Sequence, residues 1–368
     1  MIKARSDHAP IRLMSIDALR GFDMLWIIGG ADVMIALSKA YPNKSFTWLA
    51  GNFDHEWGVF HFYDIIMPLF LFIVGVVMPV AFKNRLATGE NKSSIYRHVL
   101  LRVSKLYILG LIASGHLLEL NVATLHLWTD TLHAIAVGYL ISSILILEVK
   151  LKWQLVIVVI LLAAYWIIMT NIPVPGYPAG LFQKKNNLAL YIDDLVLGHF
   201  QEGEGWTYIL TNMTFICSVM LGVFAGYMLL SEWSERNKVL RILSAGVGCI
   251  AAGLIWANWF PIIHHIWTSS LVLFAGGWSY ILLALFYYVI DVKGHTKWSF
   301  PFKVIGVNAI AVYVATHLFD FKLISAVFVG GFSQWLGSWY NVVLSFSALL
   351  VIWLVLFYMY RNKTFLKI

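Results

Sequence analysis

Charge is what this sequence has least of. Only 12% of its 368 residues are Asp, Glu, Lys or Arg, against about 25% in an ordinary soluble domain. So few charges cannot clothe an aqueous surface around a chain that is 60% hydrophobic, with a mean hydropathy of +0.77. A water-soluble fold is excluded, and lipid is the main solvent. Cysteine is nearly absent as well. Cys217 and Cys249 lie in apolar runs without ligand spacing, which leaves no disulfide framework and assigns both to packing. No nucleophile elbow, phosphate-binding glycine loop or dinucleotide fingerprint occurs. The net charge of +7 is not a nucleic-acid footprint, because the excess sits in short connections between apolar runs. No cleavable leader is evident, since Met1 to Arg12 is polar and basic and the first apolar run is long.

What is present is a succession of apolar runs near 13–38, 62–82, 96–115, 129–148, 154–172, 209–230, 239–259, 267–291, 302–319 and 338–360. Each approaches the roughly 20 residues that cross a bilayer as a helix. The expectation is an all-α polytopic membrane protein of about ten transmembrane helices, one domain over 1–368. Segment 321–336 is apolar, short and glycine-containing, and reads as a re-entrant piece or an eleventh span. Lys and Arg mark the cytoplasmic side. They collect at Lys3, Arg5 and Arg12, at Lys83 to Arg102, at Lys150 and Lys152, at Arg236 to Arg241, at Lys293 to Lys303, and at Arg361 to Lys367. Loop 116–128 has none, and loop 173–208 offsets Lys184 and Lys185 with Asp193, Asp194, Glu202 and Glu204. Ten spans place both termini in the cytoplasm, while an eleventh would put the basic tail outside.

Ionisable residues inside the apolar runs are the candidates for chemistry, because a charge at mid-bilayer costs from about 3 kcal/mol upward. The first run carries Asp17, Arg20 and Asp23 at spacings of three, on one helix face, and Asp32 further out without an evident partner. These read as an ion pair at the membrane edge or as a functional cluster. At the outer mouth of the second run stand Asp54, His55, Glu56, His61 and Asp64. A histidine beside carboxylates serves as a general base, the carboxylate orienting the ring and stabilising its charged form; the same residues also suit a polar interfacial loop. His116, His126, His133, His264, His265, His317 and Asp320 are scattered at the same side. None has tight ligand spacing, so no metal is expected.

Two blocks, RLMSIDALRGFDM and HEWGVFHFYDIIMPLFLFIVG, resemble the opening of the transmembrane acyltransferase family that includes heparan-α-glucosaminide N-acetyltransferases and bacterial homologues. The resemblance continues in order through DTLHAIAVGYLI, NNLALYIDDLVLG, MLGVFAGYML, FPIIHHIWTSSLVLFAGG and WSFPFKVIGVNAIAVYV. It implies an acyl-CoA-dependent N-acetyltransferase of the bacterial inner membrane. Such an enzyme moves acetyl from cytosolic acetyl-CoA to an amino sugar or other glycan on the extracytoplasmic side, as a monomer or a homodimer. It implies a catalytic histidine upstream of the Trp57–Asp64 block, nearest to His55, with Asp64 beside it. His55 stands one residue closer to Trp57 than the family pattern, Asp54 takes the usual slot, and His61 is near. Arg20, Asp32, Trp57, His133, His264, Trp267 and Asn308 become candidates for binding substrate or acyl-CoA. Ala31 stands where the family often has Asn, and His264–His265 replace an Asn-Lys type pair, which points to a different acceptor. Direct transfer and an acetyl-histidine route both remain open. The competing reading from the residues alone is a permease for a small polar solute, which calls for repeat symmetry that the sequence lacks. A structural subunit explains the apolar bulk but not the ordered blocks.

Overall fold

The computed structural model describes residues 13–203 and 205–365. Lys3, Arg5, Arg12, Glu204 and Lys367, which entered the charge pattern, lie outside them. The chain is 75% helix, with no named strand among the described residues. The helices are α1 (Met14–Ala40), α2 (Lys44–Gly51), α3 (Phe62–Ala87), α4 (Lys92–Ala113), α5 (Asp130–Glu148), α6 (Leu151–Asn171) and α7 (Leu188–Leu197). There follow α8 (Asn212–Leu230), α9 (Glu235–Trp256), α10 (Ser269–Val292), α11 (Phe300–Val307), α12 (Ala309–Leu318), α13 (Phe321–Val329) and α14 (Tyr340–Arg361). It is a multi-pass integral membrane protein.

Among the described residues, eight helical stretches are long and apolar enough to cross a bilayer, or nine if α11 and α12 form one span bent by 73° at Asn308. The expected count of about ten differs for identifiable reasons. α4 has the length, 22 residues, but carries Lys92, Arg97, Arg102 and Lys105, so it is not apolar enough to qualify. Segment 321–336 is neither a full span nor detached. It is the nine-residue α13 followed by short turns, and together with α14 it makes one broken stretch, Phe321–Arg361.

Helices α3 and α8 form the centre, with most of their apolar stretch buried, whereas α9 buries only Ile242, Gly246 and Gly253 and turns the rest of its apolar side chains outward. Lipid tails are as apolar as Leu, so spans associate through close packing, and small residues set the approach. Gly75 of α3 faces Gly222 of α8. A Cβ on Gly222 would lie 1.9 Å from the Phe72 carbonyl oxygen, and one on Gly75 would lie 1.9 Å from that of Val219. Gly21 of α1 and Gly306 of α11 meet equally closely, at 1.7 Å from the Phe302 oxygen and 1.9 Å from the Asp17 oxygen.

The start of α1 shows how distant residues complete a helix. Leu13 offers no capping side chain. Asp291, at the end of α10, instead accepts the N–H groups of Met14 and Ser15 at 3.2 and 3.1 Å, placing negative charge at a positive helix terminus. Within α1, Arg20 pairs with Asp17 at 4.0 Å. Asp23 is fully buried, and neither of its carboxylate oxygens has a hydrogen-bond partner among the described residues. Asp32, read from sequence as lacking a partner, is half-exposed and pairs with Lys322 of α13 at 2.9 Å. The bundle's ends differ chemically. Asp17, Lys303, Arg361 and Lys363 gather around one cavity at the end where the tail lies, and the histidines gather at the other.

Candidate active site

The site begins with a turn. Before α3 proper, Phe62–Ile65 forms a single 3-10 turn. Asp64 reaches back so that one carboxylate oxygen, Oδ2, accepts the His61 backbone N–H at 2.8 Å. His61 donates its ring Nδ1–H to the Asp54 carbonyl at 3.1 Å, and the His55 backbone N–H is held by the Asp54 carboxylate at 2.8 Å. These bonds within 54–64 fix a tight loop at the helix entrance, and its negative charge meets the positive end of α3.

The loop aims His55 at the buried carboxylate. His55 Nδ1 is 2.7 Å from Asp64 Oδ1. A carboxylate accepts, so Nδ1 carries the proton and the Nε2 lone pair is left for other work. A third group arrives from the connection between α9 and α10, where His264 Nδ1 stands 3.0 Å from the same oxygen. The His55 and His264 rings lie 5.1 Å apart, tilted by 32°. His265 is clamped between Trp57, at 4.8 Å, and Trp206, at 4.3 Å. Burial lowers the pKa of His264 and brings that of His265 down to about 4, so His265 is an uncharged ring near neutral pH.

Long-range bonds hold this constellation. Trp57 donates its indole N–H to the Phe182 carbonyl at 2.9 Å. Thr207 donates both its N–H and its hydroxyl to the His265 carbonyl, at 3.3 and 3.2 Å. Asp193 of α7 is buried and accepts the N–H groups of Tyr208 and Ile209 at 2.6 and 2.9 Å. Burial raises its pKa to about 6 despite those bonds. The 206–209 strip, which carries Trp206, is therefore tied to α7 and to the histidine loop. Replacing Asp193 by Ala removes both acceptors. The expected result is a loosened Trp206–His265 wall and a lower melting temperature, since each buried N–H left unpaired costs about 1–3 kcal/mol; thermal melting of detergent-solubilised protein checks it.

A cavity of about 310 Å³ opens on this centre. His55, Tyr63, Ser114, Thr131, Glu202, Trp206, His264, His265, Trp267, Tyr313 and His317 are among its lining residues. Trp267 is buried, at positive φ, and donates its N–H to Ser218 at 3.0 Å. Of the residues singled out from sequence, His55, His264 and Trp267 line the cavity, Asp64 sits behind the two histidines, and Trp57 backs His265. Four others stand apart from it. Arg20 is paired with Asp17, and Asp32 is on the surface with Lys322. Asn308 forms the bend between α11 and α12, its amide 3.4 Å from the Thr364 carbonyl. His133 is buried between α4 and α5, its two ring nitrogens engaging the backbones of Thr129 and Tyr107. Sequence reasoning missed Tyr63, Ser114, Thr131, Trp206 and Tyr313. Tyr63 adjoins Asp64, and Thr131 and Tyr313 fall within the family-like blocks DTLHAIAVGYLI and WSFPFKVIGVNAIAVYV, whereas nothing in the sequence marked Ser114 or Trp206.

A second cavity, of about 300 Å³, lies toward the other end of α3, lined by Phe82, Arg85, His98, Arg102, Lys105 and Tyr139. Arg85 is engaged with Glu90 at 3.1 Å. Arg102 lies over the Tyr139 ring at 4.4 Å, and neither it nor Lys105 has a carboxylate partner among the described residues. Lys105 of α4 and Ser114, the residue at the end of that helix, border the two cavities, nine residues or about 14 Å apart along it. The His133–Tyr107 ring pair, at 4.6 Å, stands in that interval.

A family profile described as heparan-alpha-glucosaminide N-acetyltransferase, catalytic, matches residues 12–252. Among curated relatives, heparan-alpha-glucosaminide N-acetyltransferase of Homo sapiens is 24% identical over 86% of this chain and 54% of its own length. That of Mus musculus is 23% identical over 73% of this chain and 49% of its own. The chain thus spans about half the length of the curated relatives it matches. His55 and Asp64 fall inside the matched stretch; His264 and His265 lie beyond it.

Proposed function

The chain belongs to the heparan-α-glucosaminide N-acetyltransferase catalytic family, and on that premise we propose that it transfers acetyl from cytosolic acetyl-CoA to an amino sugar or related glycan outside the membrane. The observation that carries the reading is the His55–Asp64 pair at 2.7 Å, opening on a cavity at the end of the bundle opposite the basic clusters. The nucleotide of acetyl-CoA sits at the second cavity, its phosphates met by Arg102 and Lys105. The pantetheine arm runs past Tyr107 and His133 and delivers the thioester to His55. His55 Nε2 removes the proton of the incoming amine, or attacks the thioester carbonyl and passes the acetyl on. In either case the C–S bond breaks, the thiolate leaves as coenzyme A, and Asp64 stabilises the imidazolium that forms. Trp206, backed on one side by neutral His265, offers its other face to a sugar ring.

The bilayer is the bacterial inner membrane, with both termini cytoplasmic and His55 outside. Cysteines introduced at Asn52 and at Lys363 are expected to react with an impermeant thiol reagent from opposite sides. Labelling of both from one side overturns the orientation.

The direct test of the donor is calorimetry of acetyl-CoA on the purified protein. Binding is expected, weakening as salt rises because phosphates meet cations. Arg102→Ala and Lys105→Ala are each expected to reduce affinity about tenfold, the loss of one charge-assisted contact. Folded protein that takes up no acetyl-CoA favours a permease for a polar solute instead.

A further inference from the structure

His264 is a physical anomaly. Its side chain is 5% exposed, yet its ring nitrogens have no partner other than Asp64 among the described residues. Nδ1 stands 3.0 Å from Asp64 Oδ1 as an ion-pair contact, and Nε2 has no partner among the described residues. Burying an imidazole in this state is costly, and a bound ligand would satisfy it. The surroundings say which ligand. One atom each from His55, Asp64 and His264 lie within 4.8 Å of one another, and the group faces a cavity with room for further ligands. Two imidazole nitrogens and one carboxylate oxygen with an open side is the donor set of a divalent transition metal, above all Zn²⁺. Calcium and magnesium prefer oxygen ligands throughout.

We propose that His55, Asp64 and His264 form a Zn²⁺-binding site whose occupation takes His55 out of acetyl transfer. Metal–ligand bonds of about 2.0–2.2 Å require Nδ1 of His55 and Oδ1 of Asp64 to part slightly from their present 2.7 Å. His55, whose side chain is 30% exposed, has freedom to turn. The ion takes the Nδ1 lone pair, so the ring proton moves to Nε2 and the atom that would accept the substrate's proton becomes a donor. Metal and acyl transfer are therefore mutually exclusive. Charge agrees, because Asp64 supplies the single negative ligand while Glu202, also on the cavity wall, adds to the local negative potential. This consequence rests on the reading of His55 as the transfer histidine; the metal site itself does not.

Two probes separate these claims. Wild-type protein, purified free of metal, is titrated with Zn²⁺ by calorimetry and with Co²⁺ by visible absorption. One ion per chain and the intense d–d bands of low-coordinate Co²⁺ are expected. His264→Asn and, as a second variant should that one fail to fold, Asp64→Asn are each expected to weaken binding at least about tenfold. A folded wild type that binds neither ion, or a His264→Asn variant that binds with undiminished affinity, overturns the site. Acetyl transfer is then assayed across the same Zn²⁺ range. Inhibition that follows the binding curve supports both claims. Binding without inhibition keeps the site and overturns His55 as the transfer group.

Discussion

Replacing His55 by alanine is expected to reduce acetyl transfer by about 100-fold to 10,000-fold, the usual contribution of a positioned acid–base group. Acetyl-CoA affinity should barely change, because the nucleotide contacts we propose at Arg102 and Lys105 are at the other cavity. Two comparisons make the result diagnostic. Asp64→Asn keeps the size of the side chain but loses the charge that stabilises the imidazolium, and should be impaired more mildly than His55→Ala. His61→Ala should retain most activity, since the His61 ring points to the Asp54 carbonyl and does not line the cavity. A dead His61→Ala beside an active His55→Ala would place the chemistry on the wrong histidine. Normal transfer by both would leave the family fold standing without this mechanism. The measurement is single-turnover acetyl transfer alongside acetyl-CoA binding on the same preparations.

Gly222→Val is expected to abolish the folded protein. The added Cβ meets the Phe72 carbonyl oxygen at 1.9 Å. That oxygen is part of a helix backbone and cannot swing aside as a flexible side chain would. Overpacking against side chains alone costs about 1–3 kcal/mol, and a backbone collision between the two central helices should exceed it. Gly248→Ala supplies the contrast, with open space around its new methyl group and a helix propensity gain of up to about 1 kcal/mol. Thermal melting of detergent-solubilised protein followed by size-exclusion recovery reads both. Equal stability of the two variants would mean that the α3–α8 crossing does not organise the bundle.

The contrast between these glycines shows where sequence reading stops. Both stand in apolar helices, and nothing local separates a glycine at a helix crossing from one facing lipid. Asp32 makes the same point. Its partner Lys322 is 290 positions away, so it read as unpaired. Asn308, a candidate for binding substrate or acyl-CoA, lies at the bend between α11 and α12, a placement that the sequence around it does not carry.

The scarcity of charge determined the solvent, and with it the helical class, because a backbone in lipid must satisfy its hydrogen bonds within each segment. The ordered blocks pointed to the family, and the short 54–64 loop brought His55 and Asp64 within reach of one another, since both are local properties of consecutive residues. The tertiary structure alone decided that His264 joins them from 200 positions along the chain, that Trp57 and Trp206 clamp His265, and that Arg102 and Lys105 face a cavity of their own. Those meetings depend on how helices cross at Gly75–Gly222 and Gly21–Gly306. A crossing is set by the fit of two distant surfaces, which no single stretch of sequence encodes.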